Sequence, residues 1–428
     1  MHRLFVLLLS SAIAVTAMAA TPARAQDSRG RAAAVKPLVV YVVDTEGGKA
    51  ALYVSPSGES LLIDSGNPGG RDTDRIMAAV ADAGLTKIDY LLSTHYHVDH
   101  IGGIQELAKR IPIGTFIDHG PSVEEREQVA GFQQAYAELY GKAKHLVVKP
   151  GDRIPIAGLD WRIVTAGGNV LKAPLPGGGR PNPACAVFTP KEITNDPENA
   201  QSVGSVVAFG QFRAIDLGDL LWNKEFELMC PTNPIGTVDV YFASHHGLDQ
   251  SGSAVLVHGV RPRVAVMQNG TRKGAGAQAM PTMRTSPGLE DIWQLHWSYG
   301  AGIEQNSAGV FIANVDDAAT IAGVLTAPPR GGGPGRGGQP GAVPVSGGPQ
   351  APATPAAAPS AAAPSPAAPA APAPGGGRGG GPAAAHTPAY WIKVSAERTG
   401  PFTVTNSRNG FSKTYTTRAP AAGARQGR

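Results

Sequence analysis

Ser93-Thr94-His95-Tyr96-His97-Val98-Asp99-His100-Ile101-Gly102-Gly103 places three imidazoles and a carboxylate within six residues, directly after the strand-like run Ile88–Ser93. Such a run, ending on a polar loop, reads as a buried strand that delivers its carboxyl end to a site. In an extended loop alternate side chains share a side, so His95 and His97 point the same way. A turn begun at Asp99 brings His100 round to them, and Gly102-Gly103 allow a tight passage from strand to helix. Imidazole and carboxylate together suit Zn2+ and related divalent ions such as Mn2+, in one or two sites.

Outward from this loop the chain reads as strands with helices between them. Leu38–Val43 is a β-branched run, and Ala51–Val54 with Ser60–Ile63 forms a hairpin around Pro56-Ser57-Gly58. Asp72–Ala83 is an amphipathic helix ended by Gly84, Gly103–Arg110 starts a second helix, and Val123–Tyr140 is a longer third. Further strands are expected at Trp161–Val164, Ser205–Phe209, Phe212–Asp216, Val238–Ala243 and Arg263–Met267. The order suits an α/β protein with two mixed sheets covered by helices, spanning residues 36–326. Residues 327–388 lose this pattern, and Ala351–Pro374 uses only Ala, Pro, Ser and Thr. That composition cannot bury enough apolar surface to fold, so a disordered linker or insertion is expected there. Strand signals return in residues 389–417, at Tyr390–Val394, Phe402–Val404 and Phe411–Tyr415. A lone hairpin is marginal in water, so these strands are expected to dock on the main domain.

The His-x-His-x-Asp-His pattern followed by Gly-Gly resembles the signature of the metallo-β-lactamase superfamily. That resemblance implies an αββα sandwich with metals at one edge. Ile63-Asp64-Ser65-Gly66 is similar to the family's first motif, an aspartate that braces the metal loop. Leu217-Gly218-Asp219 resembles the later Gly-Asp motif, whose carboxylate bridges two metals. Ala243-Ser244-His245-His246-Gly247 resembles the last ligand motif, with His245 as the ligand and His246 as the alternative. The resemblance therefore implies His95, His97, Asp99, His100, Asp219 and His245 as metal ligands, with Asp99 also orienting the attacking water. A histidine common in the family is missing: Glu198–Ser205 contains none. Asn199 and Ser202 there, the paired His245-His246, and the loop Asn269-Gly270-Thr271-Arg272 resemble the hydrolase-like domain of ComEC-type DNA-uptake proteins. Asn199 is thus either a hydrogen-bond donor to a developing oxyanion or a turn residue after Pro197.

Composition bounds the setting. His2 and Arg3, the apolar run Leu4–Ala20 and Ala23-Arg24-Ala25 read as a cleavable secretory signal peptide over residues 1–25. The alternative, a membrane anchor, asks for a longer run. A periplasmic or secreted location follows, in which Cys185 and Cys230, the chain's two cysteines, are either bridged or free. The net charge of +4 divides unevenly. The leader carries two arginines, residues 327–428 carry ten Lys/Arg against Glu397, and the body between them is left at −7. An acidic body offers no strong nucleic-acid patch. The expected function is metal-dependent hydrolysis with an activated water, on a small-molecule or phosphodiester substrate. Lactone, lactam or other ester hydrolysis is the alternative within that class. A non-catalytic metal-binding envelope module is the alternative outside it. A redox member of the superfamily ranks last, because no flavodoxin-like segment is present.

Overall fold

Leu38–Val42 shows how the sequence builds layers. Its alternate residues Leu38, Val40 and Val42 pack into one apolar cluster, whereas Tyr41 packs into another. A strand buried on both faces has no polar side to show, so it reads as a continuous apolar run. The computed structural model describes residues 35–191, 196–299, 302–315 and 389–418. The expected leader (1–25) and linker (327–388) lie outside these residues.

Two large mixed sheets stack face to face. The first runs, in spatial order, Ser412–Tyr415, Phe402–Asn406, Ile392–Ala396, Leu38–Val42, Ala51–Val54, Ser60–Ile63, Ile88–Leu92, Ile113–Asp118 and Lys144–Val147. The second runs Ile312–Asn314, Asp291–His296, Val264–Met267, Val240–Phe242, Phe212–Asp216, Gly204–Phe209, Asp160–Ala166 and Arg153–Ile154. Between them lies the core that includes Tyr53, Ile63, Trp161, Phe209, Phe242 and Trp293. The outer face of the first sheet, through Leu52, Leu62 and Leu91, is covered by Ile76, Ala79 and Val80 of the helix Arg71–Asp82, with Leu107 and Tyr136. The outer face of the second, through Ile215, Tyr241 and Ala265, is covered by Leu228, Leu256 and Met280 from three helices. The result is the helix–sheet–sheet–helix sandwich expected from the sequence.

Strand direction decides where a site can form. Ser60–Ile63, Ile88–Leu92 and Ile113–Asp118 are parallel, and so are Phe212–Asp216, Val240–Phe242, Val264–Met267 and Asp291–His296. Parallel strands put their carboxyl ends together, where open α/β sheets collect ligands. Asp64, the His95–His100 loop, Asp219, His245-His246 and the Gln268–Lys273 loop all follow such carboxyl ends.

The helix expected from Val123 begins at Glu127. The four preceding residues are held otherwise: the Val123 amide donates to Glu198, the Glu124 amide to Ser122, and the Arg126 amide to Glu124. Cys185 and Cys230 form a disulfide, so the described residues contain no free thiol.

Ile392–Ala396 pairs onto Leu38–Val42 in antiparallel register, with Val40 opposite Val394, and Phe402–Asn406 and Ser412–Tyr415 extend the sheet beyond it. Val394, Phe402, Val404 and Tyr415 join the inter-sheet core, and the Trp293 indole donates to the Tyr415 hydroxyl at 3.0 Å. Val404 is fully buried. Val404→Ala is therefore expected to cost about 2 kcal/mol, the transfer of two methyl groups plus an unfilled cavity. Urea unfolding with an unchanged m-value checks this. A loss under roughly 0.5 kcal/mol, the scale of surface substitutions, would mean the strand contributes no core packing.

Candidate metal centre

The site is built from the Asp64 carboxylate outward. Asp64 follows a strand of the first sheet and is fully buried. Its Oδ1 accepts the Thr94 amide at 2.7 Å, and its Oδ2 accepts both the Thr94 hydroxyl at 2.8 Å and His100 Nδ1 at 2.8 Å. Because the Thr94 hydroxyl donates to Asp64, its oxygen is left to accept from His95 Nδ1 at 3.0 Å. One carboxylate thereby sets two tautomers, leaving Nε2 of both His95 and His100 as a bare lone pair.

The other imidazoles are fixed in the same manner. His97 Nε2 faces Glu124 Oε2 and Asp196 Oδ1, each at 3.2 Å, so its bare nitrogen is Nδ1. His246 Nδ1 donates to the Gln268 carbonyl at 3.0 Å. His245 Nδ1 lies 3.3 Å from the Ser251 hydroxyl, whose own proton goes to the Leu220 carbonyl. His246 and His245 therefore also present bare Nε2 atoms. Consecutive residues of an ordinary strand would point to opposite faces. His245 and His246 both adopt left-handed backbone, with φ of 53° and 58°, and so both turn toward Asp219.

These lone pairs converge on two carboxylates. Asp219 Oδ2 lies 3.9 Å from His95 Nε2, 3.3 Å from His100 Nε2, 3.5 Å from His245 Nε2 and 3.3 Å from His246 Nε2. Asp99 Oδ2 lies 3.7 Å from His100 Nε2 and 3.5 Å from His246 Nε2. His95 Nε2 faces His97 Nδ1 at 3.0 Å, and His100 Nε2 faces His246 Nε2 at 3.3 Å. Acceptor lone pairs that close around anionic oxygens repel one another unless a cation lies among them. Asp219 Oδ1, buried and without a hydrogen-bond partner, adds another open ligand position. The donor set of imidazole nitrogen and carboxylate oxygen fits a borderline divalent ion. His95, His100 and Asp219 would hold one side and Asp99, His100 and His246 the other, each set with its ligand atoms within 4.8 Å of one another, while His245, the ligand expected from the sequence, lies 3.5 Å from Asp219 Oδ2.

The electrostatics lean the same way. Burial pushes the Asp219 carboxyl up, but His246, His100 and His245 outweigh it and hold it well below the carboxylate range. Asp99 is likewise held down, by Lys273, His100 and His246, against its own burial. Burial, with the like charges of His100 and His97, keeps His95 well below the usual imidazole value. His97 and His100 are the exceptions. Burial pulls both down, but Asp196 and Glu124 raise His97, and Asp219, Asp64 and Asp99 raise His100 to about 10. The anionic pair thus demands positive charge at His100, which a proton or a metal ion can satisfy.

Of the residues expected from the sequence, His95, His97, Asp99, His100, Asp219, His245 and His246 meet in this pocket. Asn199 sits in the segment that packs beside it. Ser202 accepts the Asp219 amide, the Val203 amide donates to the Thr94 carbonyl, and a Cβ on Gly218 would press on Thr94 and Ser202. Asn199 is fully buried, and neither atom of its amide has a partner.

Four further residues were not read from the sequence. Glu124 and Asp196 orient His97. Lys273, about a third exposed, bonds Asp99 Oδ2 at the pocket's rim. Glu198, fully buried, accepts the Tyr96 amide, His119 Nε2 and the Val123 amide, and so ties three loops together. A third His/carboxylate group, Asp44 with Glu46 and His296, already holds a cation: Arg75 pairs with Asp44 at 2.9 Å and Glu46 at 3.3 Å.

Comparison with known proteins follows this geometry. Hydroxyacylglutathione hydrolase of Klebsiella pneumoniae is 27% identical over 115 residues, covering 27% of this chain and 37% of that protein. The Erwinia tasmaniensis enzyme of the same name is 29% identical over the same shares. The chain thus spans little more than a third of the length of these relatives. Among solved structures, a metallo hydrolase from the archaeon Ignicoccus hospitalis aligns with a TM-score of 0.36 and 14% identity, over 60% of this chain and 94% of that one. Residues 44–191 match the Metallo-beta-lactamase superfamily.

Proposed function

We propose that this protein is an exported, metal-dependent hydrolase whose centre acts on phosphodiester substrates. The observation that carries the hydrolase reading is the convergence of four bare imidazole nitrogens, those of His95, His100, His245 and His246, on Asp219 and Asp99. A divalent cation bound there supplies Lewis acidity and brings the pKa of water toward ~7. Asp99, held ionised, orients an attacking water. Lys273 at the rim offers a fixed positive charge to an anionic substrate, which favours phosphodiesters over neutral esters. Asn199, Ser202 and the His245-His246 pair supply the ComEC-type features behind that choice. Export rests on the leader-like sequence, and the Cys185–Cys230 disulfide suits an oxidising compartment. The second reading, hydrolysis of a lactone or other ester, draws on the hydroxyacylglutathione hydrolase relatives.

Purified protein, reloaded with Zn2+ or Mn2+, is expected to cleave bis-p-nitrophenyl phosphate and to lose that activity to a chelator. Turnover of lactone or β-lactam chromogens without phosphodiester cleavage would overturn the substrate assignment. No turnover of any class with metal bound would favour a non-catalytic module.

Asn199 allows a sharper test. A buried amide with neither atom paired costs free energy that folding alone does not explain, and substrate can supply the missing partner. Asn199→Ala is expected to keep the metal and lower kcat about 10²-fold, the scale of losing one oxyanion donor. Elemental analysis, melting temperature and turnover are measured on the same sample. Unchanged turnover with a lower melting temperature would leave Asn199 a turn residue.

A further inference from the structure

The amino ends of the second sheet's parallel strands carry an unassigned cavity of about 540 Å³, lined by Arg180, Arg261, Arg263 and Arg418 together with Gly288 and Glu290. It lies at the opposite end of the sheet from the metal centre. Glu290 enters the strand Asp291–His296 from this side, and six residues at ~3.3 Å each put roughly 20 Å between the two ends.

Charge and backbone both single the cavity out. Arg263 Nε donates to Glu290 Oε1 at 2.8 Å. Among the described residues, the guanidinium groups of Arg180, Arg261 and Arg418 form no ion pair with a carboxylate, although the Arg418 backbone amide bonds the Asp239 carboxylate and the body of the chain carries −7. Burial, and then the like charges of Arg261 and Arg263, push the Arg418 guanidinium below its ordinary value. That guanidinium donates to the Pro287 carbonyl and sits where a Cβ on Gly288 would be. Arg261 is the left-handed residue that ends the helix Ala254–Val260, with φ 49° and ψ 60°. Glycine is the usual occupant of such a position, because a side chain there is strained. An arginine at a position that favours glycine, beside three more arginines, lines the cavity at a conformational cost.

We propose that this cavity is a binding site for a phosphorylated ligand carrying at least two negative charges. Guanidinium forks match phosphate oxygens two at a time, and the volume exceeds what a single phosphate needs. The source is either a small free phosphorylated molecule or the phosphates of a polymer. The site is separate from catalysis and independent of the proposed reaction.

The test titrates inorganic pyrophosphate and long-chain polyphosphate into the full protein at low ionic strength by calorimetry. Asp219→Ala is run alongside, to remove anion binding at the metal centre. Binding is expected to survive in Asp219→Ala and to weaken at least tenfold in Arg180→Ser/Arg261→Gly. The glycine suits the backbone at 261, so loss of binding cannot be ascribed to unfolding, and turnover of the small phosphodiester should be unchanged. Equal affinity per site for the two probes would identify a small free ligand, and preference for the chain would identify a polymer. Binding that persists in the double variant, or none in the wild type, would overturn the proposal.

Discussion

Asp219→Ala is expected to strip the metal centre and abolish turnover, and to do so without unfolding the chain. Among the described residues, Asp219 Oδ2 is the one oxygen within 4 Å of four imidazole nitrogens, so no other described side chain can take its place between the two halves of the pocket. Metal content measured by elemental analysis should fall at least tenfold. Loss of Lewis acidity costs several kcal/mol of transition-state stabilisation, on the order of 10³-fold in rate. Stability of the metal-free fold should change little. The cost of burying the Asp219 carboxylate with one oxygen unpaired is offset by the imidazoles of His246, His100 and His245, and alanine removes both. Wild type should therefore melt higher with added Zn2+ than without, and the variant should melt at one temperature in both conditions. Equal metal content in wild type and variant would sink the ligand assignment. A collapsed melting temperature would recast Asp219 as structural.

What the sequence disclosed and what it hid have a common physical basis. The His95–His100 loop, Asp64 and Gly218-Asp219 were legible because each follows an apolar strand directly, and ligand spacing within a loop is local. The covering helix Arg71–Asp82 was legible from its periodicity and from Gly84. Ile113–Asp118 was missed because Pro112 and Gly114 break its apolar run, yet Gly114 is there because a Cβ would press on the Asp89 carbonyl. The partners of the ligands were hidden by distance. Lys273 meets Asp99 across 174 positions and Glu198 meets Tyr96 across 102, both from loops of ordinary composition. The choice between His245 and His246 was hidden differently. Both share the pocket only through left-handed backbone at two non-glycine residues, which no residue type announces.

Lys49→Met is expected to be the most destabilising single change near the site, although Lys49 touches no metal ligand side chain. Lys49 Nζ pairs with Asp216 Oδ1 at 2.5 Å, and both side chains are only 3% exposed. Lys49 lies in the loop leading into Ala51–Val54 of the first sheet and Asp216 ends a strand of the second, so the pair ties that loop to the second sheet beneath the metal pocket. Each end also holds a ligand loop. The Lys49 amide donates to the Asp99 carbonyl and the Lys49 carbonyl accepts the Gly66 amide, while Asp216 Oδ1 accepts the Gly218 amide, one residue before Asp219. Methionine fills the space of the stem but leaves Asp216 buried and uncompensated. Removing one partner of a buried pair costs about 3–5 kcal/mol. Denaturant unfolding of the metal-free protein should show that loss. Replacing both partners, as Lys49→Met/Asp216→Leu, should recover most of it, because a paired burial is then exchanged for an apolar one. If the single variant is as stable as wild type, Asp216 has found another partner and the pair does not hold the Gly-Asp turn. If the double variant regains stability but binds metal poorly, the ion pair is kept for the placement of Asp219 and not for the fold.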